Sequence, residues 1–156
     1  MTTSEQETVE RLMCWARLWS PLAEDADHDA SWTHLELPGV FAALRNQFWN
    51  AFHVGNPQPR LPLLLHVLLQ REGTSVREEM IRVAQYLELE SSDKRLPPDH
   101  LAPVCEMLAM ALDEDEAVLV DGLMERYLAP WLAKARAEAD ADLLPVLERF
   151  QQDLPH

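Results

Sequence analysis

An aspartate and a histidine stand side by side at Asp99 and His100, directly after Pro97-Pro98 and at the head of a run, 101–112, that is apolar almost throughout. Such a pair at a helix start can serve the helix itself, the carboxylate accepting a backbone N–H and complementing the positive end of the helix dipole. It can also form a polar edge on an apolar groove, where a peptide is gripped. The spacing alone leaves both open. Other chemistry has less to stand on. The four glycines, Gly39, Gly55, Gly73 and Gly122, cannot be assembled into a phosphate-binding loop of either common pattern. There is no HExxH, and Asp25, Asp27, His28 and Asp29 lack the i, i+4 spacing of a helical zinc site. No GxSxG elbow frames a serine. Cys14 and Cys105 have no CxxC partner and read as buried thiols in a reducing compartment. The expectation is a protein that binds rather than catalyses, with no cofactor and no metal.

The elements that must position the pair are helical. With 156 residues, 47% hydrophobic content and only four glycines, the chain suits one domain, 1–156, built as an all-α bundle of about six to eight helices around a single core. Ser4 and Glu7 have capping-box spacing ahead of Val9, Leu12, Met13, Ala16 and Trp19, which share one helix face ending near Pro21. Residues 22–32 are acidic, lack an apolar period and read as a loop or a short exposed turn. A second helix is expected over 38–52. The stretch 54–60, with Gly55, Pro57 and Pro59, must be non-helical. The run 61–69 is apolar on nearly every side apart from His66; it is too short for a bilayer and, if helical, is buried or meets a partner. Ser75 and Glu78 have capping-box spacing ahead of Val76, Met80, Val83 and Leu87. After a loop at 91–98, a central helix is expected over about 99–112 with Pro103 in its first turn. A helix over 116–128, broken or kinked at Pro130, and a last one over 141–152 complete the set.

Charge narrows the partners. A net charge of −14 sets nucleic acid aside, because phosphate binding needs a basic stripe and none is visible. From Leu96 to Glu125 there is no Lys or Arg, while Asp99, Glu106, Asp113, Glu114, Asp115, Glu116, Asp121 and Glu125 all fall there. That stretch is either a solvated face or a surface that steers in a cationic peptide. The polar, acidic segment 2–10 lacks the basic and then apolar pattern of a secretory signal, so a cytoplasmic protein without membrane insertion is expected.

Residues 96–108, LPPDHLAPVCEML, resemble the Pro-Asp-His motif and following helix of the TorD/DmsD/NarJ redox-enzyme maturation chaperones. Three further stretches lie in that family's order. Residues 55–69 look like its proline-rich loop and helix, 76–89 like the helix before Asp-His, and 126–131 like its late L-x-P-W element. Of the two glutamates the family often carries after Asp-His, the first position is Val104 here and the second is Glu106. The resemblance implies an all-α chaperone that binds the leader peptide, often twin-arginine, and the apo form of a molybdopterin-dependent oxidoreductase subunit, preventing premature export while cofactor is inserted. It carries client binding onto Asp99, His100 and Glu106, with Pro59, Leu61, Leu64 and Leu65 lining the groove and Trp131 nearby. For those four groove residues, plain core packing is the alternative. At the level of function the alternative is a helical adaptor or regulator with an unrelated client. On the chaperone reading, Asp99→Ala or His100→Ala weakens client binding more than it lowers stability.

Overall fold

Thr2 and Glu5 bond reciprocally, the Thr2 hydroxyl accepting from Glu5 N–H and the Glu5 carboxylate from Thr2 N–H. This box opens α1 (Thr3–Trp19), two residues ahead of the Ser4 and Glu7 pair expected to do so. The computed structural model describes residues 2–55, 58–90 and 94–156; positions 56–57 of the connection 54–60, and 91–93 of the loop 91–98, lie outside the described residues. Among the described residues every regular element is helical, and the one β feature is an isolated antiparallel bridge between Leu64 and His100.

After α1 come α2 (Asp25–His34), α3 (Phe41–Phe52), the short α4 (Leu65–Leu69), α5 (Gly73–Tyr86), α6 (Leu101–Asp113), α7 (Ala117–Leu123), a π turn over Met124–Leu128, α8 (Ala129–Glu138) and α9 (Leu144–Asp153). Three expectations are corrected. Segment 22–32 is not a loop: α2 forms because His28, Ser31 and Trp32 face inward, Trp32 packing on Phe41 at 5.4 Å and donating its indole N–H to the Pro38 carbonyl. Tertiary burial here overrides a sequence with no helical period. Helix α5 begins before Ser75, its first N–H groups capped by the Glu72 carboxylate at Thr74 and Ser75. The helical path is not broken at Pro130. Ahead of it Ala129 N–H bonds the Met124 carbonyl five residues back, and this wider turn accommodates a residue that lacks an N–H and crowds the preceding turn, so helical turns continue without interruption from α7 into α8.

The core is continuous and aromatic at its centre. Helix α1 packs most extensively along α6, whose face from Leu101 to Ala109 is entirely buried. Trp19 stacks on Trp15 at 5.3 Å and on Phe48 at 5.8 Å, and meets Phe52, Trp131 and Phe150 edge-on, joining α1 to α3, α8 and α9. Aromatic pairs in these arrangements contribute about 0.5–1.5 kcal/mol each beyond the area they bury. The two ends of the chain are fastened by Asp153, which accepts from both the Arg11 guanidinium at 2.8 and 2.9 Å and the Trp15 indole at 2.8 Å.

Candidate functional site

Asp99 and His100 do different jobs. His100, not Asp99, caps α6: its Nδ1 accepts from Ala102 N–H at 3.1 Å, which leaves the proton of the neutral ring on Nε2. Asp99 has no exposed surface. Its Oδ2 accepts from the His66 ring at 2.5 Å and the His66 backbone N–H at 3.3 Å, and its Oδ1 from Arg77 Nε at 3.4 Å. The carboxylate thus ties α4, α5 and the head of α6 together. Around it the backbones of 63–65 and 99–101 pair, Leu101 N–H to Leu63 carbonyl at 2.8 Å and Leu65 N–H to Asp99 carbonyl at 3.0 Å. That pairing explains why the apolar run is helical only from Leu65: Pro62 cannot donate to a helix ladder, and Leu63 and Leu64 instead pair with the start of α6.

This non-helical segment forms one wall of a hollow of about 380 Å³. Trp49, Phe52, His53 and Val54 from the end of α3 stand opposite Pro59, Pro62, Leu64 and Val67, with Leu63 and His100 also on the lining. Trp49 and His53 meet edge to face at 4.6 Å, and Val54 is 47% exposed at the rim. The backbone of Gly55 comes so close to that of Gln58 that no side chain fits between them, which shapes the connection bordering the hollow.

Of the residues singled out from sequence, the structure brings His100, Pro59 and Leu64 onto this hollow. It does not bring Asp99, Leu61, Leu65 or Trp131 there. Leu61, Leu65 and Trp131 have no exposed surface and belong to the core, where the Trp131 indole donates to the Pro62 carbonyl at 3.0 Å from behind the segment. Glu106 is 9% exposed in the middle of α6, away from the lining. The acidic stretch also lies elsewhere: Glu116 borders a separate hollow between α5 and α7 that shares no residue with the first. Sequence reasoning missed His53, Trp49, Val67 and the Asp99 partners His66 and Arg77; His66, as the one polar side chain inside 61–69, was the visible signal for the last group.

Electrostatically the hollow is neutral. Burial, followed by the charges of His100 and His28, holds His53 down at about 3, and burial holds His100 at about 4, with Asp99 pulling the other way. Both rings are uncharged at pH 7. His53 Nε2 is buried and has no hydrogen-bond partner among the described residues. Among them, too, no three His, Cys, Asp or Glu side chains converge as metal ligands would, and no helix is long and apolar enough to cross a membrane.

A pH dependence follows. Both folded-state values lie below the ordinary histidine value of about 6.5, so this contribution to stability is full above that pH. It is lost as the pH falls towards 4, because the unfolded chain takes up protons that the folded rings refuse. Unfolding free energy is expected to fall between pH 6.5 and 4 by up to about 1.4 kcal/mol per pH unit for each ring. His100→Asn keeps an acceptor at the cap and removes one titrating ring. Urea unfolding across this range should show a shallower slope in that variant; identical slopes would mean that His100 is protonated in the fold.

Comparison with family models, with curated proteins and with solved structures returns no match for this chain.

Proposed function

We propose that the chain is a cytoplasmic chaperone of the TorD/DmsD kind that holds the leader peptide, and with it the apo form, of a molybdopterin-dependent oxidoreductase subunit, and that it catalyses nothing. The observation that carries this reading is the hollow between the end of α3 and the segment 58–67: apolar walls, an open rim at Val54, and two neutral imidazoles on its lining. An apolar leader segment fits such a site. Burial of its side chains against Trp49, Phe52, Leu64 and Val67 would contribute about 25 cal/mol per Å² of apolar area removed from water. The net charge of −14 favours approach of a cationic leader, and acts on association rate more than on final affinity. Ordering a disordered peptide costs about 2–5 kcal/mol, so the complex is modest and reversible.

Calorimetric titration of the purified chain with a synthetic twin-arginine leader tests the reading. Saturable binding of micromolar order is expected. Leu64→Asp, which places a charge on the wall of the hollow, should weaken it by about tenfold or more. No heat at high micromolar peptide would favour the helical adaptor with an unrelated client.

A further inference from the structure

On the other side of α5 the fold leaves a second apolar surface that the leader site does not use. Val83 and Tyr86 of α5 face Val118, Leu119, Gly122 and Leu123 of α7 across a hollow of about 370 Å³. Val118 is 87% exposed and Tyr86 59%, large values for apolar and aromatic side chains this close together. At Gly122 an added Cβ would meet nothing within 4 Å, so the middle of the groove is open down to the helix backbone. The groove's shape is held by polar contacts across it. The Tyr86 hydroxyl donates to Glu116 at 2.8 Å, and both the Arg126 guanidinium and the Tyr127 hydroxyl donate to Glu79, at 2.7 and 2.6 Å. The last two donors sit on the π turn, which sets them opposite α5.

We propose that this groove docks a cationic amphipathic helix of a partner protein. Two antiparallel-facing helix surfaces with an open apolar floor suit a third helix laid between them, its apolar stripe over Gly122 and Val118. Charge selects the sign of its flanks. The charged side chains on the lining are Glu79, Glu116 and Arg126, the last paired with Glu79, and beyond them Asp113, Glu114, Asp115, Asp121 and Glu125 are exposed on the α6–α7 corner and α7 side, so the surplus charge around the groove is negative. An anionic membrane and a second copy of this chain are both disfavoured by the same field. The surface shares no residue with the leader hollow, so this inference and the leader reading stand or fall separately.

The test uses the full chain and a fluorescein-labelled synthetic helix with leucines on one face and arginines along its edges, followed by anisotropy. Saturable binding that weakens with added salt is expected, and a glutamate-for-arginine analogue should not bind. A Cβ at position 122 meets nothing within 4 Å, and Gly122→Leu places a side chain in the groove while improving local helix propensity, so the melting temperature should hold or rise while affinity drops about tenfold or more. Val118→Lys, at a largely solvated position, should act likewise through repulsion. Leader binding should be unchanged in both variants. The proposal is overturned by no binding at high micromolar peptide, by equal binding of the glutamate analogue, or by undiminished affinity in both variants. A concentration-dependent dimer in light scattering that Gly122→Leu dissolves would also overturn it, in favour of self-association.

Discussion

Trp131→Ala is expected to lower the unfolding free energy by about 4 kcal/mol, and the melting temperature by about 10 °C, as judged by urea and thermal unfolding. The ring has no exposed surface, and lies edge-on to Trp19 at 6.1 Å and to Phe150 at 6.4 Å, so its removal opens a void at the junction of α1, α8 and α9. The loss also reaches the hollow beside α3 from behind, because the indole N–H is the donor to the Pro62 carbonyl. A buried acceptor left unmatched costs about 1–3 kcal/mol. Trp131→Phe should recover much of the packing but not that bond, and so fall between the two. A melting temperature within a degree or two of the unaltered chain for Trp131→Ala would mean that the ring is not part of the core.

Asp99→Ala should destabilise the chain by about 2–4 kcal/mol while leaving leader affinity per folded molecule unchanged. This reverses the order of effects expected from sequence, for a physical reason: a side chain with no exposed surface cannot touch a client, but its loss strands the His66 N–H and ring in a partly buried place and frees Arg77. Arg77 is 43% exposed and can turn to water, which keeps the loss below that of a fully buried ion pair. Asp99→Asn retains an acceptor for His66 and should lose less. His100, which does line the hollow, is where a binding defect is expected. An Asp99→Ala protein that melts normally but has lost its leader would contradict this division.

The helical class was legible because it rests on local terms. The 3.6-residue recurrence of Val76, Met80, Val83 and Leu87 gave α5, and the nearly all-apolar run 101–112 gave the buried α6, with Pro103 in the first turn as expected. What the sequence hid was set by contacts distant along the chain. Segment 25–34 becomes a helix only because Trp32 finds Phe41 and Phe48. The run 61–69 is split because 63–65 pairs with 99–101, more than thirty residues on. The site shows the same limit. Residue types pointed to Asp99 and His100, yet their opposite fates depend on His66 and Arg77, which no spacing rule connects to them. The apolar residues were separated least well, since Leu61 and Leu65 are core while Leu64 between them is on the wall, a division set by the non-helical course of 61–64 that a helical reading of 61–69 obscures.

The π turn at Met124–Leu128 gives one helical stretch two allegiances. A π turn accommodates one residue more than an α turn, and each residue advances an α-helix by about 100°, so the register beyond Leu128 is rotated relative to a regular continuation from Leu123. The apolar stripe before the turn serves α6, and the stripe after it serves α4 and α9. An uninterrupted helix would present a single seam along its whole length. The phase step lets the same helical stretch close the bundle at one end and, at the other, brace the segment that walls the hollow beside α3.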